Sequence, residues 1–318
     1  MAKLVSMDLT NSNPCILQYT TTDGVILHFN DNAFDEKIIS HTYTNKGMVI
    51  FEKPILRICS TAFSNKRTLL SITIPDSVTE IGDWAFNSCS GLKSITIPDS
   101  ITKIGDVAFK DCTGLTEITI PNSVTSIGWL AFKGCTSLTK ITIPNSITSI
   151  GDYAFEGCSG LTEIIIPDSV TYIEGFAFAG CSGLKKVIIG KNVNYIGEYA
   201  FSGCDINTII CRAENPPSLY KEELYEHPTS FERFETLIVP TGCEDAYYQS
   251  NWGRYISEES IEYDDEEDVV FDEDDDEDES PDYSDYVNDI DWIKESYLAL
   301  GGDIENYRGG DSLDNFMG

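Results

Sequence analysis

Cysteine is the residue whose spacing in this sequence first suggests chemistry. Six cysteines recur every 23 residues: Cys89, Cys112, Cys135, Cys158, Cys181 and Cys204. Thiolates bind zinc or form disulfides, but zinc sites place their cysteines about two to four residues apart. Equivalent side chains of stacked repeats also point the same way, which is poor geometry for a disulfide. The spacing therefore predicts a column of small buried core residues and no metal site. The other four are Cys15, Cys59, Cys211 and Cys243, and no pairing among them follows from the sequence.

Catalytic residue types are sparse and form no recognisable motif. The chain has three histidines, and it lacks the serine-nucleophile, zinc-protease and phosphate-loop motifs. We therefore predict that the protein is not an enzyme and needs no cofactor. One alternative stays open: an unrecognised catalytic site within residues 209–235 that depends on Glu222, Glu223 or His227.

Acidic side chains are concentrated at the end of the chain. The 318 residues carry a formal charge of −32, and residues 257–318 hold 25 acidic and two basic residues, a net of −23. This charge repels phosphates, so we expect no nucleic-acid partner. The run from Asp272 to Glu279 has carboxylates at alternate positions, but Glu277 stands where an EF-hand calcium loop requires glycine. The segment is predicted to be a solubilising tail or a loose cation site, and alternatively a decoy for a basic partner.

Membrane insertion and export are not indicated. No window of the sequence approaches the roughly 18 apolar residues that a membrane span needs. The first 14 residues lack the apolar stretch of a secretory signal. These features predict a soluble, cytoplasmic protein that would reach the extracellular space only by a non-standard route.

The elements that position these residues come from an internal repeat. Phenylalanine preceded by alanine recurs every 23 residues, at Phe63, Phe86, Phe109, Phe132, Phe155, Phe178 and Phe201. The unit is ITIP[DN]S[VI]TxIGxxAFxxCxxL, with six copies between 71 and 208 and a degraded copy at 48–70. In LxxITIP the apolar residues alternate as in a strand, and proline ends it. Copies stacked about 4.8 Å apart predict a continuous column of phenylalanine rings.

The repeat resembles a known family. The unit ITIPDSVTEIGDWAFNSCSGL strongly resembles the BspA-like leucine-rich repeats. TTTDGVILHF (20–29) resembles the hairpin that often precedes such arrays, and TLIVPTGCEDAYYQSNW (236–252) resembles their C-terminal cap. The resemblance implies an α/β-type repeat, a leucine-rich-repeat solenoid of mostly short parallel strands with turns, capped at both ends. It also implies non-catalytic protein–protein interaction and, for exported members, a surface adhesin that binds host proteins.

Four segments follow from these patterns. They are an N-terminal β-rich cap (1–47), the repeat array (48–208), an irregular insertion with a C-terminal cap (209–256) and the acidic, mostly disordered tail (257–318). Within the tail, a short helix is predicted over 285–300, because Tyr286, Ile290, Ile293 and Tyr297 share one helical face. This helix could dock onto another protein, fold back on this chain or have no specific role.

The outward positions of the predicted strands form the candidate binding face. Its residues are Glu117, Thr119, Lys140, Thr142, Glu163, Ile165, Lys186 and Ile188. The charged positions alternate in sign from strand to strand, so their structural interpretation is a cross-strand charge ladder. The change from threonine to Ile165 and Ile188 predicts an apolar stripe, either covered by residues 209–235 or open to a protein partner.

Overall fold

The chain winds into a parallel β-solenoid of about seven turns. This computed structural model describes residues 15–30, 32–220, 230–231, 234–256 and 261–263. Of the chain's two units, 1–262 and 263–318, the solenoid and its caps belong to the first. The predicted solenoid is confirmed, whereas the α/β label is too broad, because the described residues contain a single short α-helix, α1 (Glu244–Gln249).

Each full coil contributes two strands, although the sequence predicts only one. The N-terminal strands are β1 (Ile16–Thr21), β2 (Ile38–Tyr43) and β3 (Gly47–Phe51). A short-strand face consists of β4 (Arg57–Ile58), β6 (Glu80–Ile81), β8 (Lys103–Ile104), β10 (Ser126–Ile127), β12 (Ser149–Ile150), β14 (Tyr172–Ile173), β16 (Tyr195–Ile196) and β18 (Ser218–Leu219). A long-strand face consists of β5 (Leu69–Thr73), β7 (Ser94–Thr96), β9 (Glu117–Thr119), β11 (Lys140–Thr142), β13 (Glu163–Ile166), β15 (Lys186–Ile189), β17 (Thr208–Cys211) and β19 (Thr236–Val239). The last described strand is β20 (Ile261–Tyr263).

A column of stacked phenylalanine rings runs through the interior, as the repeat predicts. From Phe63 to Phe201, rings of neighbouring coils lie 5.0–5.4 Å apart between centroids and within 10° of parallel. The cysteine column is buried beside them, also as predicted. Each of these thiols donates to the carbonyl oxygen of a phenylalanine in the preceding coil, with Cys112 Sγ 3.2 Å from Phe86 O. Coils therefore share one apolar interior that no single coil could bury alone.

Polar turn residues also connect successive coils. Ser100 Oγ donates to Val78 O, and Ser169 Oγ donates to Ile147 O, each over 2.6 Å. Such bonds explain why serine follows aspartate or asparagine in the repeat, since each satisfies a carbonyl at the turn.

The turns beside the phenylalanine column force large residues into the left-handed region. One equivalent position of each coil has φ between 52° and 63°: Thr61, Trp84, Val107, Leu130, Tyr153, Phe176 and Tyr199. This conformation costs an L-residue roughly 1–2 kcal/mol. Hydrogen bonds to the next coil hold it in place, as where the Val107 amide donates to Trp129 O over 2.8 Å.

The N-terminal cap differs from the predicted hairpin. Strand β1 pairs antiparallel with β3 and with β5, and β2 pairs with β3, whereas residues 25–29 form no strand. Residues 20–29 therefore lead from β1 into a loop, and the hairpin expected for this segment is wrong. The loop places Phe29 edge-on against Phe63, with ring centroids 5.1 Å apart, and so covers the first ring of the column.

The coils continue beyond residue 208, into the described part of the segment expected to be an irregular insertion. Strands β17 and β18 pair in parallel with β15 and β16. Phe231 stacks on Phe201 at 5.0 Å and 3°, and the Phe201 amide donates to Ser230 O over 2.8 Å. Ser230 and Phe231 thus take the places of alanine and phenylalanine in a longer coil. Trp252 closes this end: it is fully buried, and its Nε1 donates to Pro217 O over 2.8 Å.

Candidate functional site

The long-strand face brings the eight candidate residues to one side of the solenoid. Glu117 pairs in register with Lys140, and Thr119 with Thr142. Farther along, Glu163 pairs with Lys186 and Ile165 with Ile188. The residues between them, such as Ile118 and Ile164, are buried. Period-two alternation thus places one set of side chains in the core and the other on the outer surface of the face.

The predicted cross-strand charge ladder forms only in part. Lys186 Nζ lies 3.6 Å from Glu163 Oε1, so these two form the expected cross-strand pair. Within the described residues, Glu117 and Lys140 form no ion pair within 4 Å, although their strands are in register. Both side chains are exposed. The structural interpretation therefore accounts for one step of the row and leaves the Glu117 and Lys140 charges available at the surface.

The apolar stripe is less accessible than its sequence suggests. Ile165, Ile188 and Ile210 are aligned across β13, β15 and β17, and Ile238 extends the row on β19. Ile165, Ile210 and Ile238 are half-buried, but Ile188 has only 1% of its surface exposed. Ile188 therefore cannot contact a partner in this state, which corrects its assignment to an open face. Ile238 was missed because its strand follows a coil of unusual length.

The thiols have the chemistry of core groups. Burial raises the pKa of the Cys89 thiol to about 12 and holds that of Cys112 well above its usual value. Such thiols remain protonated at neutral pH and are poor nucleophiles and ligands. Among the described residues, no three His, Cys, Asp or Glu side chains converge as metal ligands. The alternative enzyme residues Glu222, Glu223 and His227 lie outside the described residues, as do Tyr286, Ile290, Ile293 and Tyr297 of the predicted docking helix.

Stacked parallel coils with an open strand face define a repeat protein of the leucine-rich-repeat class. A family model described as "BspA type Leucine rich repeat region" matches residues 28–159 and 102–216, with six copies. Together these matches cover more than half of the chain, and the chain belongs to this family. Leucine-rich-repeat proteins are typically protein-interaction scaffolds and are generally not enzymes.

Solved structures that this chain matches come from several bacteria. A leucine-rich repeat protein from Bacteroides ovatus is 26% identical, with 64% of this chain and 63% of that chain covered and a TM-score of 0.46. A leucine rich cell surface protein from Faecalibacterium prausnitzii is 32% identical, with 59% of each chain covered and a TM-score of 0.46. The leucine-rich repeat protein of T. pallidum is 32% identical, with 48% of this chain and 72% of that chain covered and a TM-score of 0.46.

The chain spans less than two thirds of the first two of these proteins. No curated protein matches its sequence. In the described part of the chain, no helix has the length and apolar content required to cross a bilayer.

Proposed function

We propose that this protein is a non-catalytic binding scaffold whose long-strand face receives a protein partner. The observation that supports this most is the exposed row on β9 and β11, where Glu117, Thr119 and Lys140 project from a regular two-strand surface. Parallel strands hold these side chains at fixed spacing, so little ordering entropy is lost when a partner binds.

Charge and shape would select the partner. Glu117 and Lys140 have opposite charges on adjacent strands and no ion pair with each other, so a partner with the reverse pattern could pair with both. Thr119 and Thr142 offer hydroxyl groups on the same outer surface, two residues along each strand from these charges. The half-buried Ile165 adds apolar surface beside them. A polar rim around a partly apolar patch is typical of non-obligate protein interfaces.

The test compares the two strand faces of the solenoid. Thr119→Arg with Thr142→Arg places two large cations on the long-strand face. Thr125→Arg with Ser126→Arg places the same two on the short-strand face, at exposed residues of a coil that does not pair with the strand of Tyr172. Partners captured by the intact chain from its source cells are purified and their dissociation constants are measured. We expect the first variant to bind at least about tenfold more weakly and the second to be unchanged. Equal affinity of both variants and the intact chain would reject the long-strand face as the binding site.

The acidic tail supports a second candidate function. Its net charge of −23 would attract a basic partner, as a decoy that imitates nucleic acid does. Retention of the full chain on an immobilised basic protein, lost on deletion of residues 257–318, is the expected result. Unchanged retention would rule the decoy out. In an exported protein the long-strand face would serve the adhesin role that the family implies.

A further inference from the structure

Two neighbouring coils present tyrosine on the short-strand face. The outward residue of these strands varies: it is charged on β4, β6 and β8, serine on β10, β12 and β18, and aromatic only on β14 and β16, as Tyr172 and Tyr195. Tyr172 is 47% exposed. The two ring centroids lie 6.2 Å apart at 52° to one another. Residues that recur in every coil are explained by the packing of coil on coil. Tyrosines found in only two coils are not explained in this way.

A glutamate interrupts the repeat beside these rings. Glu174 stands where other coils have glycine, at Gly105, Gly128, Gly151 and Gly197. Glycine is required in most of them, because a Cβ on Gly128 would lie 2.5 Å from the Asp106 amide nitrogen. In the coil of Glu174 the order of glycine and acid is reversed, so that Gly175 follows the glutamate.

In the described part of the chain, Asp152 lacks a hydrogen bond that the equivalent aspartates of earlier coils accept. In earlier coils, Asp83 Oδ1 accepts from the Asp106 amide over 3.0 Å, and Asp106 Oδ1 accepts from the Trp129 amide over 2.9 Å. The equivalent Asp152 carboxylate lies beside Gly175, with its Oδ1 3.2 Å from the point that a Cβ there would occupy. Within the described residues Asp152 makes no such hydrogen bond, so its charge is available to a ligand.

The three carboxylates lie close to the tyrosines along the chain and across the strands. Tyr172 pairs in register with Ser149 and with Tyr195. Asp152, Glu174 and Glu198 follow Ser149, Tyr172 and Tyr195 by three, two and three positions. Burial, with the nearby Asp152 charge, raises the pKa of Glu174. Burial, then Glu174, and to a smaller extent Tyr220, Glu198 and Asp152, raise the pKa of Tyr195. None of the three carboxylates belongs to an ion pair of the described chain. The surface is therefore aromatic and negatively charged, with no cation of its own.

A neighbouring contact shows which group suits such a surface. Lys133 Nζ lies 5.5 Å from the centre of the Tyr153 ring and also pairs with Glu156. An ammonium group placed between an aromatic ring and a carboxylate is stabilised by both. The surface around Tyr172 offers the same two groups but no lysine.

We propose that Tyr172, Tyr195, Asp152, Glu174 and Glu198 form a second binding surface, which receives lysine and arginine side chains from a basic segment of a protein partner. The three carboxylates come from successive coils, so one small ammonium ion could not neutralise them all, whereas a peptide with several cations could. This surface lies on the short-strand face and does not depend on the long-strand face.

The first experiment titrates fluorescein-labelled tetralysine amide into the full chain. Tyr172→Ser with Glu174→Gly restores the residues that the repeat has elsewhere, so the coil has a precedent for folding. The matched control is Asp99→Asn, which also removes one negative charge and reproduces Asn122 and Asn145 of other coils. We expect affinity to fall about tenfold in the double variant and less than about twofold in the control. Equal affinity in the double variant and the intact chain would overturn the proposal, as would an equal loss in the control.

The second experiment separates this surface from the acidic tail. Carbodiimide couples bound tetralysine to the carboxylates that it contacts, and mass spectrometry locates the adducts. We expect adducts at Asp152, Glu174 or Glu198, and adducts confined to residues 257–318 would contradict the proposal. The variant Thr119→Arg with Thr142→Arg should retain the adducts, so this result stands apart from that of the long-strand face.

Discussion

At the scale of single residues, the phenylalanine column is the main packing feature of this fold. Phe132 is fully buried, with rings of neighbouring coils 5.3 and 5.4 Å from its own. Replacing it with alanine leaves a cavity that the flanking rings cannot fill, so Phe132→Ala should lower the free energy of unfolding by about 3–5 kcal/mol. Urea denaturation measures this, with the exposed Ser126→Ala expected to stay within about 0.5 kcal/mol. A loss below about 1 kcal/mol for Phe132→Ala would mean that the ring is not packed as described.

The buried thiols make stability depend on alkaline pH. Cys89 has a pKa of about 12 in the folded chain against an ordinary 9.0. Between these values the unfolded chain loses protons that the folded chain keeps, so stability is complete below about pH 9 and falls as the pH rises. We expect the melting temperature to drop between pH 8 and pH 10.5, and to drop less in Cys89→Ala with Cys112→Ala. Identical drops in both proteins would show that these thiols do not contribute.

Two glycines in the turns separate the energetic effect of backbone conformation from that of packing. A methyl group fits at both Gly180 and Gly151, where the nearest atoms would lie 3.8 and 3.7 Å from a Cβ. Only Gly180 has a left-handed φ, of 69°. Gly180→Ala should therefore lower the free energy of unfolding by about 1–2 kcal/mol. Gly151→Ala should be neutral or up to about 1 kcal/mol stabilising. Urea denaturation of both variants checks this, and equal effects would argue against the turn geometry.

Element by element, the sequence predicts what repeats in phase and misses what does not. The phenylalanine, cysteine and long-strand columns could be predicted, because identical residues at a fixed period must stack. The short strands, such as β10, were missed since two residues cannot display an alternating pattern. The N-terminal pairing of β1 with β3 and β5 is non-local, and a local turn at Asp23–Gly24 gives no information about it. The coil of Phe231 was missed because it is longer than the period.

The candidate sites were predictable to a similar degree. Strand alternation places Glu117 and Lys140 on one face, and their exposure agrees. It cannot report that Ile188 is buried, since that depends on what surrounds an outward side chain. The surface of Tyr172 and Glu174 was missed for another reason. This surface differs from the repeat at single positions, such as glutamate in place of glycine at Glu174. The importance of such a difference is visible only when the structure shows what the usual residue does in the other coils.

At the scale of the whole molecule, the solenoid behaves as a row of coils that stabilise their neighbours. Aromatic rings close both ends, Phe29 against Phe63 and Trp252 against Phe231, with centroid distances of 5.1 and 5.3 Å. The interior is thus continuous between caps, and both strand faces depend on it for their spacing. In such a linear array, damage to one coil should weaken the coils on either side.

Hydrogen–deuterium exchange of Phe132→Ala against the intact chain tests this continuity most directly. We expect amide protection to fall in the coil of Phe132 and also around Phe109 and Phe155, whose rings lose their neighbour, with smaller changes near both caps. Faster exchange confined to the coil of Phe132, with Phe109 and Phe155 unaffected, would contradict a shared interior.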